Sequence, residues 1–330
     1  MQKLDYVTKK IRGKKILVLG DMVADVYVDG RISRISREAP VLVLEEAGEK
    51  VVAGGAANVV NNIATMGGEV YAVGVLGDDK NAESLRKILG ENGVHLEGLV
   101  MDKTRPTISK TRIIAGGRAT VSQQIVRIDR ESKEPLSKKM EAALISKLDK
   151  LMPQVDGFVL SDYGAGTITD DVKKLILRHS GQHKVPSIID SRYRVGDFSG
   201  ITFAKQNDSE LAKFVGHEIT DMSSLITAGS QLLSKLNANG VLITRGELGM
   251  SLFERGGAVY HIPVTDKSEV YDVSGAGDTC VAAFMLSITA GLTPAVAARV
   301  ANYAAGIAVR KMGTATVNIV ELGNVLEKAR

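Results

Sequence analysis

Apolar and polar positions follow two rhythms along this chain. The run "KKILVLGD" (14–21) is short, β-branched and Leu-rich. It predicts a buried first strand with a functional turn at its end. "VYVDG" (26–30) and "VLVLEE" (41–46) alternate, as short exposed antiparallel strands do. "AANVVNNIATMG" (56–67) is helical, with Gly67 and Gly68 as a stop, and "VYAVGVLGDD" (70–79) is again a strand. Residues 99–130 return to period two in "TISKTRIIAGG" and "TVSQQIVRIDRE", the pattern of a sheet with one covered face. From about 138, helical stretches (138–152, 170–181) alternate with short apolar runs (156–162, 185–191, 240–246), and 279–330 is mostly helical. Strands alternating with helices predict an α/β core whose mostly parallel sheet is covered on both faces. The two β excursions, about 22–48 and 99–130, predict one small lid sheet beside it. The whole chain, 1–330, reads as a single domain with that lid.

Composition narrows the function classes. Hydrophobic residues make up 44% and charged residues 24% of 330, which is ordinary for a globular protein with a large core. A net charge of +4, without a Lys/Arg block, is too small and dispersed for a nucleic-acid footprint, though it suits an anionic small ligand. Cys280 is the single cysteine, so an internal disulfide or zinc cluster is excluded and a reducing, cytoplasmic compartment is expected. The charged start "MQKLDYVTKKIRGKK" has no secretory pattern. The uncharged stretch 279–298 is interrupted by Gly291 and Pro294, and reads as buried helix rather than membrane span.

Four stretches carry candidate chemistry. In "SGAGDT" (274–279), Gly275 and Gly277 flank Ala276 and permit a tight turn into a helix. The first amides of that helix would cradle an anion. Asp278 beside a bound phosphoryl group could accept the proton of an attacking hydroxyl; alone, it could equally be an N-cap. No third glycine completes a dinucleotide fingerprint, and no P-loop is present. In "VVAGGAANVVNNIA" (51–64), Gly54 and Gly55 would admit a polyhydroxyl substrate and Asn58 would bond its hydroxyls, or the pair is a plain strand-to-helix turn. "LITRGELGMSLFE" (242–254) presents Thr244, Gly246 and Gly249 to a nucleotide, or is a simple hairpin. In "KQNDSELAKFVG" (205–216), Asn207 and Glu210 have the spacing of a capping box; the functional alternative sets Asn207 near phosphates and Glu210 at Mg²⁺ through water.

The order of "GGAANV", "NDSE", "TRGELG" and "DVSGAGDT" resembles the ribokinase-like (PfkB) sugar kinases over nearly the whole chain. "SRISREAPV", "TISKTRII", "QIVRIDRE", "VLSDYGAGT" and "VYDVSGAGDT" further resemble the heptose 7-phosphate kinases, which resemble one half of the bifunctional ADP-heptose synthesis protein. No H-x-x-H-type nucleotidyltransferase motif follows, so a kinase-only form is expected.

The resemblance implies a ribokinase-like fold and a kinase using ATP and Mg²⁺. Asp278 would be the base, with the Gly275, Ala276 and Gly277 amides as the anion hole. Asn207, Asp208, Ser209 and Glu210 would lie at ATP and Mg²⁺. Thr244, Gly246 and Gly249 would surround the nucleotide, with Asn302 near the adenine. Asp272 and Ser274 match a K⁺ site of some relatives. Asp25, Gly54, Gly55 and Asn58 would hold sugar hydroxyls, with Lys110, Arg112, Arg127 and Asp129 on the lid side of a phosphorylated sugar. Two features depart from the family pattern: Gln206 stands where many relatives have Pro, and "IDSRYRVGDF" (189–198) is richer in arginine, so that Arg192 and Arg194 either meet a phosphate or are solvated. A homodimer formed through the lid edge is expected. The readings kept open are a kinase for another sugar, such as fructose or ribose, and a non-catalytic sugar- or nucleotide-binding relative.

Overall fold

The computed structural model describes residues 4, 6–116, 122–264 and 270–328. Among these the elements run α1 (Val7–Ile11), β1 (Lys15–Gly20), β2 (Met22–Ile35), β3 (Leu42–Gly55), α2 (Ala56–Thr65), β4 (Glu69–Leu76), α3 (Lys80–Glu91), β5 (His95–Met101), β6 (Ile108–Gly116) and β7 (Gln123–Arg130). They continue with α4 (Lys138–Leu151), β8 (Gly157–Asp162), α5 (Asp170–His183), β9 (Ser187–Ser191), β10 (Phe203–Asn207), α6 (Asp208–Val215), α7 (Met222–Leu236), β11 (Gly240–Thr244), β12 (Met250–Glu254), β13 (Val259–Ile262), α8 (Ala276–Thr289), α9 (Pro294–Ala308) and α10 (Ile319–Lys328).

Nine strands form the core sheet in the order β13-β12-β11-β10-β9-β8-β1-β4-β5. It is parallel from β11 to β5; the β11–β12 and β12–β13 pairs are antiparallel. Successive side chains of a strand point to opposite faces, and β1 shows the consequence. Ile16 and Val18 join a core with α2, α8 and α9, while Leu17 and Leu19 join a second core with α4, α5 and α7. Both faces are therefore covered, as the helix–strand alternation predicts. The uncharged stretch 279–298 contributes to two helices, α8 and α9, separated at Gly291 and capped by Thr293. Among the described residues no helix is long and apolar enough to cross a membrane.

The second sheet has the order β3-β2-β6-β7 and is the lid. Its strands are longer than their alternating cores suggest. β2 and β3 each span 14 residues, buried at the end next to the core and exposed beyond it. Residues 99–101 belong to β5 at the edge of the core sheet, not to the lid, and the first lid segment reaches Gly55 rather than 48. Thr120 and Val121, expected in the last lid strand, lie outside the described residues.

Candidate active site

The parallel strands β8, β9 and β10 all end at one cavity of about 370 Å³, beneath the lid and against the start of α8. The carboxyl ends of parallel strands are where such folds place ligands. Gly275 is the N-cap of α8 with a φ of 78°, and Asp278 lies three residues on, so the N-cap reading of Asp278 does not hold. Asp278 is 5% exposed and lines the cavity. Asn58 Nδ2 donates to its Oδ2 at 2.8 Å, and the Tyr163 hydroxyl donates to its Oδ1 at 2.9 Å.

Asn58 is fully buried on α2, with its own Oδ1 accepting from Asn62 Nδ2 at 3.0 Å. It anchors the aspartate and is not among the residues that line the cavity. The two glycines exist for close approach: a Cβ on Gly275 would sit 2.6 Å from Asn58 Nδ2, and one on Gly277 would sit 2.8 Å from Lys205 Nζ. The Ala276 amide turns back to Val273 O at 3.3 Å, whereas those of Gly277 and Asp278 make no backbone bond among the described residues. Such amides, at the positive end of a helix dipole, suit an anion.

Burial raises the Asp278 pKa to about 7; the Asn58 hydrogen bond opposes this, the nearby Asp190 adds to it, and Tyr163 and Lys205 oppose it. Lys205 is buried on β10 and donates to Asp190 Oδ2 at 2.9 Å. Burial disfavours its charge, but Asp190 and Glu210 outweigh this and hold the ammonium protonated. Burial also raises the pKa of Glu210. The capping box is real: Glu210 N donates to Asn207 Oδ1 at 2.7 Å, and Asn207 N donates to Glu210 Oε2 at 2.9 Å. Both residues also line the cavity, so the structural and functional readings coexist. Among the described residues no cluster of three His, Cys, Asp or Glu could hold a metal. The half-buried Glu210 carboxylate on the cavity wall fits Mg²⁺, which keeps most of its waters.

On the lid side, Arg112 Nη1 donates to Asp25 Oδ1 at 2.6 Å, and Thr314 Oγ1 donates to Asp25 Oδ2 at 3.0 Å. Breaking one partner of such a largely buried pair costs about 3–5 kcal/mol. A Cβ on Gly54 would collide with the Asp25 carboxylate, so this glycine makes room for Asp25; Gly55 lines the cavity. Asp129 receives Lys110 Nζ at 3.1 Å and Arg127 Nε at 2.8 Å. Arg194 is tied to Asp162 at 3.4 Å and to Ile168 O at 2.9 Å, away from any phosphate role. Arg192 lines the cavity and makes no salt bridge among the described residues.

Other expected residues stand further out. Asp208 and Ser209 are exposed in the first turn of α6, with the Ser209 amide on Asp208 Oδ1 at 2.8 Å. Thr244 ends β11, and Gly246 and Gly249 shape the hairpin into β12, with φ of 53° and 81°. Asn302 is buried on α9 and donates to Pro263 O at 2.8 Å, so its amide is committed to the backbone after β13. Asp272 accepts from the Ser274 and Gly313 amides at 2.8 and 3.0 Å, and Ser274 lines the cavity. Sequence reasoning missed Tyr163, Asp190, Lys205 and Thr314, which all line the cavity. The available signal was a charge inside or ending an apolar strand, as in "FAKQN" and "SIIDS".

The pfkB family carbohydrate kinase domain matches residues 13–320. The bifunctional protein HldE of Citrifermentans bemidjiense is 44% identical over 304 residues, covering 92% of this chain and 61% of that protein. The HldE of Pelobacter propionicus is 39% identical over 327 residues, covering 99% and 66%. This chain thus spans less than two thirds of either relative. Escherichia coli phosphofructokinase-2, in complex with substrates and products, superposes with a TM-score of 0.76 at 18% identity, covering 96% of this chain and 99% of that one. Arabidopsis thaliana ribokinase, complexed with ribose and ATP, superposes with a TM-score of 0.73 at 20% identity, again covering 96% and 99%. The fold is therefore ribokinase-like, and the chain belongs to the pfkB family of carbohydrate kinases.

Proposed function

We propose that this chain transfers the γ-phosphoryl group of ATP to the C1 hydroxyl of D-glycero-D-manno-heptose 7-phosphate, giving the 1,7-bisphosphate. The observation that carries the reading is the placement of Asp278, a buried carboxylate with a pKa of about 7 on the cavity wall, beside the Gly277 and Asp278 amides, which make no backbone bond among the described residues. A general base works best with a pKa near the operating pH. Asp278 accepts the proton of the sugar hydroxyl as that oxygen attacks phosphorus, and the bond from phosphorus to the leaving ADP oxygen breaks. The Gly277 and Asp278 amides and the Lys205 ammonium, near Gly277, offset the negative charge that develops on the transferring group. Glu210 and Asn207 hold the metal–nucleotide side of the cavity. Mg²⁺, when bound, shields the charge between phosphates. The 7-phosphate end of the sugar faces the lid cations and Arg192, which suits Arg as a bidentate phosphate reader.

The HldE relatives and the heptose-kinase motifs support the heptose assignment. One observation favours a free sugar instead: Lys110, Arg112 and Arg127 already have carboxylate partners. ADP release with heptose 7-phosphate, sedoheptulose 7-phosphate, fructose, ribose and their monophosphates, with Mg²⁺ and with or without K⁺, decides between them. Turnover confined to heptose 7-phosphate is expected. Turnover of a free sugar in its place removes the heptose assignment, and silence across the panel removes the kinase activity.

A further inference from the structure

The two oxygens of Asp278 are held differently. Oδ2 is bound by Asn58, which is fully buried, is itself fixed by Asn62, and does not line the cavity. Oδ1 is bound by Tyr163, which does line the cavity. The oxygen on the cavity side is therefore the one a substrate hydroxyl meets, and it already carries a phenolic donor at 2.9 Å. A carboxylate oxygen has two lone pairs. One is taken by Tyr163, and the direction of the other follows from that bond.

Tyr163 is not free to drift. It follows β8, and the carboxylate of Asp21 at the end of β1 gathers its loop. Asp21 Oδ2 accepts from the Tyr163 and Ala165 amides at 2.9 and 3.1 Å, and Oδ1 accepts from the Thr167 amide at 3.3 Å. Asp21 is fully buried. Two adjacent strand ends thus fix the phenol against the start of α8.

We infer that Tyr163 is a positioning residue for the base: its hydroxyl donates to the Asp278 oxygen that receives the substrate's proton, favours the ionised form of that carboxylate, and aims the oxygen's remaining lone pair at the acceptor hydroxyl. This inference rests on Asp278 being the base. The phenol keeps its own proton throughout, because burial and the charges of Asp278 and Asp190 raise its pKa well above 10. The groups facing Asp278 are accounted for on each side. Asn58 on α2, though uncharged, favours ionisation through its hydrogen bond, Asp190 on β9 opposes it, Lys205 on β10 favours it, and Cys280 on α8 stays a thiol with its pKa pushed up to about 12 by burial. Asp25 on β2 acts on Tyr163. Removing the phenolic donor leaves burial and Asp190 opposed by fewer groups, so the base titrates at higher pH.

The test is the pH profile of kcat/KM for the best sugar acceptor, with ATP and Mg²⁺, in the wild type, Tyr163→Phe and Asp278→Asn. The wild type should lose activity on the acid side near pH 7. In Tyr163→Phe that limb should rise by about one pH unit, with roughly tenfold less activity at pH 6 and a rate within about threefold of wild type at pH 9. A uniform loss at every pH, or an unmoved limb, overturns the positioning role. If Phe impairs folding, 3-fluorotyrosine placed at 163 alone keeps the ring and hydroxyl while strengthening the donor; the limb should then move down, and an unmoved limb counts against the inference. Turnover retained by Asp278→Asn would instead remove the base itself, so the two failures are distinguishable.

Discussion

The Oε2 atom of Glu210 accepts from the Asn207 amide at 2.9 Å, completing the capping box of α6, while the same side chain lines the cavity. One residue thus serves helix stability and the ligand site. Glu210→Gln separates the roles, because a glutamine oxygen still closes the box but brings no charge. Its melting temperature should stay within about 2 °C of wild type, since a lost cap costs only about 1 kcal/mol. The Mg²⁺ concentration for half-maximal rate should rise roughly tenfold, the order expected for one lost charge-assisted contact. Unchanged Mg²⁺ dependence would remove Glu210 from the metal side of the site. Asp278 shows the same tension. Burying it where its pKa approaches 7 opposes its charged form, a cost that function explains and packing does not.

In the lid, alternation along β6 and β7 gives the sheet two unlike faces. Lys110, Arg112 and Arg127 line the cavity, while Val126 and Ile128 alternate with Arg127 and are 45% and 53% exposed. Ile35, Val41 and Leu42 at the far end of β2 and β3 are also exposed, at 67%, 56% and 43%. β7 and β3 are both edges. An apolar face next to open edges is a docking surface in search of cover. The expected occupant is a second copy of the lid. Light scattering should give twice the chain mass, and Ile128→Lys should shift the protein toward monomer. A wild-type monomer at all concentrations would contradict the dimer. The lid was legible from period two, but its length was not. β2 and β3 run from the buried core into solvent, and only their outer halves show the alternation that marks a half-covered sheet.

Across the whole molecule, the helix–strand rhythm was readable because both faces of the parallel sheet are covered, which makes each strand a short apolar run. Asp278 and the Asn207–Glu210 box were readable because each sits within a local turn motif. Tyr163, Asp190, Lys205 and Thr314 were not, because they are neighbours only where separate strand ends and the 309–316 segment converge. For Asn58, the spacing after Gly54 and Gly55 places it in the first turn of α2, but nothing in that spacing shows the amide turned to Asp278, 220 residues away. The central claim is that Asp278 takes the acceptor's proton. The most direct measurement is kcat for ATP-dependent phosphorylation of heptose 7-phosphate at pH 8 by the wild type and by Asp278→Asn, with circular dichroism confirming that both fold. The expected result is a loss of about 10²–10⁴-fold in kcat. A folded Asp278→Asn variant turning over within a few-fold of wild type would contradict it.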